Sequence, residues 1–377
     1  MKGCDQMTTE QIYTVVNSAA SQALGQSAIT AIDTASFVSL GNAVLSSSVN
    51  TETFLNTLAQ RIGRTIISFR EYKNRMRDLV LNDFEYGAIL QKIKVAMPTA
   101  EEDESYDLQN GQSVDHYKVS KPAVNQKLFV TRSPYQFKIT IQREHLKEAF
   151  TSESAMGGFL AAIFGEVRNA IEYALENLGR GCYANYIAEV AGSAREIKLV
   201  TEFNALPAGG NVTAGNALAN KDFLNYAFRR INEHIDYFQD MSVLFNDGSA
   251  TRHTPKADIR IKLLSPFVRA AETVTQYAAF NETLVDVADT YTPVSYWQSP
   301  NNRSQVIAQR ASDDAETAVS NIIGVMHDRD ALGIYQINEV VATTPINAAG
   351  LYYNQYYHER QLWFNDLSEN FVIFTLN

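Results

Sequence analysis

The residues best suited to chemistry stand together in one short stretch, GVMHDRDA. Its polar residues are His327, Asp328, Arg329 and Asp330. These residue types form metal sites and acid/base pairs. In a β-strand, however, neighbouring side chains point to opposite faces, so His327 would lie on one face and the two aspartates on the other. In a turn, aspartates serve to bond backbone N–H groups. We therefore interpret the stretch as a charged strand end and not as a metal site.

A second polar group, His358-Glu359-Arg360, lies in the aromatic stretch YYNQYYHERQLW. The same alternation separates its side chains, and aromatic residues on both faces indicate a structural strand. The sequence also lacks GxxxxGK[ST], a strand-linked GxGxxG, HExxH, CxxC and GxSxG. We accordingly predict no catalytic residue, no metal site and no cofactor.

Length and composition limit the class of protein. The chain has 377 residues, is 45% hydrophobic and carries a formal net charge of −10. This charge argues against a general affinity for nucleic acid or anionic membrane. No apolar run is long enough for a membrane span, and the start lacks the apolar core of a signal peptide. Cys4 and Cys182 are far apart, so we expect no disulfide framework and a reducing cytoplasm.

The N-terminal region combines a nearly uncharged segment with a basic one. Residues 1–50 are rich in Ala, Ser, Thr and Val, which favours a mobile or partner-dependent arm. The helical spacing of TFLNTLAQRIGRTI follows. Residues 61–77 then carry six basic side chains against one acid, which suits a solvated helix face or a contact with phosphate or acidic neighbours. The six are Arg61, Arg64, Arg70, Lys73, Arg75 and Arg77.

Residues 89–141 read as a long β excursion. AILQKIKVAMP is predicted to be a strand with Ile89, Gln91, Ile93 and Val95 on one face, and HYKVSKP, KLFVTRSP and YQFKITI are predicted to be further strands. Prolines at 98, 122 and 134 keep these strands out of the centre of a sheet. The excursion holds the acidic run EEDE and too few large apolar residues for a core of its own. It therefore needs something else to lie against.

The remaining chain changes period twice. SESAMGGFLAAIFGEVRNAIEYALENLGRGCYANYIAEV predicts one long helix, capped by Ser152 or Ser154 and supported by a Glu176–Arg180 pair. From about residue 197 the pattern is α+β, with EIKLVTEF and MSVLFNDG as strands and Asn220 as a helix cap. Four strand candidates close the chain: IIGVMHD, ALGIYQINEVV, GLYYNQYYHERQLWF and NFVIFTL. A C-terminus this apolar is expected to dock into a sheet.

This order of elements resembles the major capsid protein of tailed bacteriophages, whose fold encapsulins share. The resemblance covers roughly residues 50–377, and it is carried by QFKITIQREHLKEAFTSESAMGGFLAAIFGEVRNAIEYALEN and by DALGIYQ with GLYYNQYYHERQLWFNDLSENFVIFTL. It implies an α+β fold with an N-terminal arm, an extended β-hairpin loop, a peripheral domain with a long spine helix, and an axial domain. The implied limits are 1–85 for the arm and helix, 86–141 for the extended loop, 142–194 for the peripheral domain, 195–320 for the axial domain and 321–377 for strands returning to the peripheral domain.

The resemblance also implies a function and partners. The expected function is a subunit that self-assembles, as hexamers and pentamers, into an icosahedral shell around double-stranded DNA. The expected partners are scaffolding and portal proteins, and DNA by non-specific contact, with no membrane. Such a protein assembles in the host bacterial cytoplasm and ends in the virion. An encapsulin-type container, another virion structural protein and an enzyme with a dispersed site remain open alternatives.

One inter-subunit contact is predicted within this reading. An excursion without a core gains its burial on a neighbouring subunit, and its edges offer unpaired backbone groups. The acidic run would then sit against basic residues of that neighbour. The acids are Glu101, Glu102, Asp103 and Glu104, and the candidate basic partners are Arg61, Arg64, Arg70, Arg75 and Arg77.

Overall fold

The computed structural model describes residues 9–25, 29–62, 72–81, 90–95, 97–98, 100, 102–114, 117, 119, 121, 123–130, 132–207, 209–277, 291–310 and 312–377. Its helices are Thr9–Leu24 (α1), Thr34–Leu45 (α2), Ser48–Ile62 (α3), Arg143–Ala149 (α4), Glu153–Leu160 (α5), Glu166–Val190 (α6), Leu199–Asn204 (α7), Lys221–Gln239 (α8) and Ser265–Tyr277 (α9). Its strands are Val80–Leu81 (β1), Leu90–Val95 (β2), Val124–Phe129 (β3), Arg132–Gln142 (β4), Glu196–Lys198 (β5), Ile259–Leu264 (β6), Tyr291–Val294 (β7), Val306–Gln309 (β8), Glu316–Val319 (β9), Ile322–Asp328 (β10), Leu332–Thr343 (β11), Tyr352–Asn365 (β12) and Phe371–Thr375 (β13). Within these ranges, no helix is both long and apolar enough to cross a membrane.

A four-stranded sheet has the order β1-β11-β12-β4, and β11 and β12 form its long antiparallel hairpin. Strand β4 lies at an edge and pairs with β12. Pro134 is within β4, where the missing N–H costs no ladder bond on the open side. The prediction that this proline excludes its strand from the centre of a sheet is confirmed.

A five-stranded sheet has the order β5-β13-β10-β6-β7. Every residue of β10 and β13 is buried, because both strands are central and both faces of the sheet are covered. The C-terminal strand is therefore docked, as its apolar sequence predicts. The closing strands divide between the two sheets: β11 and β12 join β1 and β4, whereas β10 and β13 join β5, β6 and β7. The domain limits drawn from the sequence stay predictions.

The N-terminal segment is not a loosely attached arm within its described residues. Helices α1, α2 and α3 pack against α4, α5 and strands β4 and β12 in what we call the N-terminal core. Phe37 of α2 and Phe54 of α3 are fully buried, and both rings contact Phe150 just after α4. On α1, the buried residues Ile12, Val16 and Ala20 follow helical spacing. This spacing was overlooked in the sequence because the segment has so few charged residues to mark the opposite face.

The predicted long helix is confirmed, with one interruption. Ser152 caps it by accepting a hydrogen bond from the Ala155 N–H at 3.2 Å. A π turn at Ala161–Gly165 separates α5 from α6. Apolar residues of α5 and the π turn pack into the N-terminal core, whereas those of α6 beyond its first turns pack with β10, β13 and Trp297 in the central core. The helix therefore joins the two cores.

Local predictions for the α+β segment are confirmed at one helix start, confirmed in part at one strand and wrong at another. Asn220 caps α8, since its side chain accepts from the Phe223 N–H at 3.0 Å. The stretch EIKLVTEF is strand only over β5 and continues as helix α7, which packs its apolar residues into a third core with α8, α9 and β6. MSVLFNDG forms no strand: Ser242 makes an isolated bridge to Arg252, and Val243 and Leu244 are exposed.

Glycine at position 41 tests whether the N-terminal helices belong to the folded core. A Cβ at Gly41 would lie 2.5 Å from Cβ and Cγ of Phe150, so Gly41→Ala should lower the free energy of unfolding by about 1–3 kcal/mol. The matched control is Gly158→Ala in α5, where nothing lies within 4 Å and helix propensity favours alanine. Urea denaturation of unassembled subunits, followed by circular dichroism, measures both. Equal stability of the two variants would contradict the packing.

Candidate subunit interface

The HDRD stretch has structural roles. His327 is completely buried in β10. Its Nδ1 lies 2.7 Å from the Asp328 carbonyl oxygen and must donate to it, so Nε2 accepts from the Tyr183 hydroxyl at 2.7 Å. Burial lowers the pKa of His327 to about 4, which keeps the ring neutral. The histidine fills a core position and faces no solvent.

The rest of HDRD closes the strand, as predicted. The Asp328 carboxylate accepts from the Thr254 hydroxyl at 2.7 Å and from the Asp330 N–H at 2.8 Å. Arg329 pairs with Asp258 at 3.1 Å. The strand ends at Asp328, so the strand alternation does not extend to Arg329 and Asp330. Among the described residues, no group of three or more His, Cys, Asp or Glu side chains could hold a metal ion.

The predicted basic partners are largely engaged within their own subunit or lie outside the described residues. The Arg77 guanidinium pairs with Glu172 of α6, and Arg75 donates to the Pro293 carbonyl oxygen at 3.2 Å. Arg64 and Arg70 lie outside the described residues, as does the side chain of Arg61 in α3. These contacts anchor the chain before β1 to helix α6 and strand β7.

The acidic run stands apart from these arginines. Glu102 and Asp103 are exposed, and Asp103 caps a short 3-10 turn, Glu104–Asp107, by accepting from the Ser105 N–H at 3.0 Å. Glu101 and the side chain of Glu104 lie outside the described residues. No ion pair between the described acids and Arg75 or Arg77 occurs within the subunit. The inter-subunit contact therefore stays a prediction.

The most charged contact of the described chain lies on the inner face of the β2–β3 hairpin. Lys92, Lys94 and Lys127 point from that face toward the turn between β12 and β13. Lys92 Nζ and Lys94 Nζ lie 2.9 and 2.8 Å from Asp366 Oδ2, and Lys127 Nζ lies 2.9 Å from Asp366 Oδ1. Glu369 accepts from Lys92 and Lys94 at 2.7 and 2.8 Å, and Asp247 lies 3.7 Å from Lys127. We call these three lysines and three acids the lysine clamp.

The clamp is electrostatically matched. Burial alone would raise the pKa of Asp366, but the lysine charges and their hydrogen bonds, with one from Ser368, hold it well below its usual value. Burial alone would lower the pKa of Lys92. The carboxylates of Asp366 and Glu369 outweigh this effect of burial, so the pKa of Lys92 is raised. Each of the three carboxylates faces at least one lysine, and Arg252 Nε lies a further 3.8 Å from Glu369 Oε2. The clamp therefore holds the hairpin on its own subunit.

The outer face of the same hairpin carries four exposed aliphatic residues, together with Gln91 and Gln126. Ile93 and Leu128 keep 60% and 55% of their surface, and Val95 and Val124, which pair across the hairpin, are exposed as well. We call these four residues the outer hairpin face. The sequence pattern correctly placed Ile93 and Val95 on one side of the strand. It missed that the lysines take the inner side, although their alternation with the aliphatic residues was a readable signal.

Comparison with known proteins settles the family. A family profile described as Phi29-like phage major capsid protein matches residues 15–375. The chain belongs to this family. The capsid protein is thus a structural component of a phage shell, located in the virion, and the sequence-based prediction of a major capsid protein is confirmed.

Solved structures agree on the fold of the capsid protein. The capsid structure of Staphylococcus phage Andhra is 11% identical with a TM-score of 0.54, covering 83% of this chain and 87% of that chain. A structure of native bacteriophage P68, described by its head fiber and inner core protein gp22, is 11% identical with a TM-score of 0.53 and the same coverage, 83% and 87%. The predicted α+β capsid fold is confirmed at this level. No curated protein sequence matches the chain.

The buried histidine makes stability depend on pH. The pKa of His327 is about 4 in the folded subunit and 6.5 ordinarily, so only the unfolded chain gains a proton between these values. Stability due to this residue should fall by roughly 3 kcal/mol as pH drops from 6.5 to 4, and no further below pH 4. His327→Gln should remove this slope in urea denaturation, whereas His253→Gln, at an exposed position, should keep it. An unchanged slope in His327→Gln would disprove this role.

The clamp predicts a large effect from one acid. Asp366→Asn removes the carboxylate with which all three lysines form ion pairs. Because partly buried ammonium charges then lose a partner, the free energy of unfolding should fall by about 3–5 kcal/mol. Hydrogen exchange should also quicken at the amides of β2 and β3. Asp313→Asn removes a half-exposed partner of Arg310 and should cost less than about 1 kcal/mol. Similar losses in the two variants would show that the clamp does not hold the hairpin.

Proposed function

We propose that the capsid protein assembles with itself, as hexamers and pentamers, into an icosahedral shell enclosing double-stranded DNA. Assembly takes place in the host bacterial cytoplasm with scaffolding and portal proteins as partners. The protein acts there as a structural subunit without catalysis of its own. Repeated contacts between unlike surfaces, with rotations that close, produce such a shell.

The outer hairpin face is the observation that carries the proposal. Contiguous exposed aliphatic residues on a soluble protein mark an interaction site. The lysine clamp fixes the opposite face of the hairpin, so the aliphatic face remains turned away from its own subunit. Burying Ile93 and Leu128 against another subunit removes apolar surface from water at about 25 cal/mol per Å². A shell repeats this gain at every subunit.

Charge supports two further parts of the proposal. The acidic run meets basic side chains of a neighbouring subunit, and the arginines between 61 and 77 are the partners named from the sequence. Two of those, Arg75 and Arg77, already have partners in their own subunit. The net charge of −10 suits a container that must release its DNA, because a strongly basic inner wall would retain it.

The outer hairpin face gives a direct test of assembly. Ile93→Glu with Leu128→Glu places charge on surface that is exposed in the lone subunit. The free energy of unfolding should therefore change by less than about 0.5 kcal/mol per site. Shell formation should be lost, because the carboxylates would have to be buried between subunits. Negative-stain microscopy and sedimentation compare this variant with wild type and with Ile32→Glu, at an exposed position outside the hairpin.

Two results would count against the proposal. Wild-type protein that stays monomeric, even when co-produced with the other head proteins of its phage, contradicts self-assembly. Normal shells from the double variant contradict a role for the hairpin in the contact between subunits.

A further inference from the structure

We propose that the open face of the four-stranded sheet receives the acidic segment 102–107 of a second copy of the chain. This inference rests on the proposed self-assembly and names the surface that reads the acidic segment. We define the open sheet face by Lys138 of β4 and by Tyr356, His358 and Arg360 of β12.

Strand register places these residues on one surface. Lys138 is directly opposite Tyr356, Gln136 is opposite His358, and Pro134 is opposite Arg360. Along β12, the residues between them are buried on the other side, where Tyr353 and Tyr357 enter the N-terminal core. Along β4, Gln136 and Lys138 are exposed in the same alternation. Between Tyr356 and Arg360, one side of the sheet is thus covered by helices and the other is open. Further along β12, the β2–β3 hairpin covers that second side, where Phe129 packs against Phe364.

The open sheet face is basic in an acidic protein. Lys138 and Arg360 lie on it with Arg132 near its end, and the outward-facing described positions of β4 and β12 include no Asp or Glu. The carboxylate of β12, Glu359, is buried on the opposite side. A chain of net charge −10 therefore carries no acid at the described outward positions of these two strands. Complementary charge of this kind selects a partner and fixes its register.

Aromatic rings extend the charged surface. Lys138 Nζ lies 5.7 Å from the centre of the Tyr356 ring, and the Tyr356 and His358 rings stack with centroids 6.2 Å apart. The result is a row of cations and flat rings along two strands. A partner that fits it carries both carboxylates and exposed aromatic side chains.

The acidic segment of this chain has that composition. Tyr106 keeps 89% of its surface, and Glu102, Asp103 and Asp107 are exposed around it. Within one subunit, both this segment and the open sheet face lie exposed. The arginines at 75 and 77 are already engaged, which makes Lys138 and Arg360 the more available cations. In a pair of subunits, the acidic segment of one copy can contact the open sheet face of the other.

A charge-swap experiment tests the pairing. Lys138→Glu with Arg360→Glu should lower shell yield about tenfold or more, because like charges then face each other. Glu101→Lys, Glu102→Lys and Glu104→Lys together, which leave the capping Asp103 intact, should do the same. Combining both sets should restore shells. Lys221→Glu, an exposed reversal in α8, is the control and should assemble as wild type does. Circular dichroism verifies that each subunit is folded.

Competing results are distinguishable. Normal shells from the Lys138 and Arg360 variant overturn the inference, and so does rescue of the acid variant by reversing Arg61, Arg64 and Arg70 instead. Shells that form normally but hold less DNA would assign the sheet face to nucleic acid and overturn it too. If wild type forms no shells, the proposed function fails before the inference is reached.

A covalent test does not depend on charge reversal. Glu102→Cys and Lys138→Cys, in a Cys4→Ser background, should give disulfide-linked chains of two or more subunits after oxidation of shells, since Cys182 is buried. Moving the second cysteine to Lys221 should abolish the ladder. Monomers only, from intact oxidised shells of the first variant, would refute the contact.

Discussion

The Asp366 carboxylate lies at the centre of the lysine clamp that holds the β2–β3 hairpin on its own subunit. The Asp366 side chain has no exposed surface and forms ion pairs with three lysines on two strands. Its own backbone is fixed by the Ala331 carbonyl and by the Tyr186 hydroxyl, at 2.7 and 3.0 Å. Because it stands in the turn between β12 and β13, which belong to different sheets, it connects the hairpin to both. A buried carboxylate is tolerated there only because its partners neutralise it.

This constraint explains how a hairpin without a core can be useful to a shell. Apolar contact with its own subunit is limited, and the Phe129 ring against Phe364, at 5.2 Å, is the main aromatic one. Ion pairs replace a packed core on the inner side, which leaves the aliphatic side chains for another molecule. The lone subunit thus exposes an aliphatic surface whose burial is favourable. The strand pair that carries this surface is already ordered, so association does not incur the entropy cost of ordering it.

Rules that act over a few residues were readable from the sequence. Four kinds of feature that depend on neighbours in the chain were predicted correctly. They are the caps at Ser152 and Asn220, the edge strand marked by Pro134, the strand β10 and the docked C-terminal strand β13. The orientation of β2 was not predicted, because alternation tells which residues share a face and not which face is covered. That choice depends on Asp366, far away in sequence. Similarly, Val243 and Leu244 look like strand residues, yet only Phe245 beside them finds a core.

The π turn at Ala161–Gly165 interrupts a long helix whose two ends pack into different cores. Each residue of an α-helix advances the side chains by about 100°, and one extra residue in a turn changes the phase of everything after it by that amount. Met156 and Leu160 before the turn pack into the N-terminal core, as does Val167 just after it, whereas Tyr183 and Tyr186 further along α6 pack into the central core. A perfectly regular helix would present a single stripe to both. The π turn therefore shifts the apolar stripe of α6 relative to that of α5, and the long helix packs into both cores.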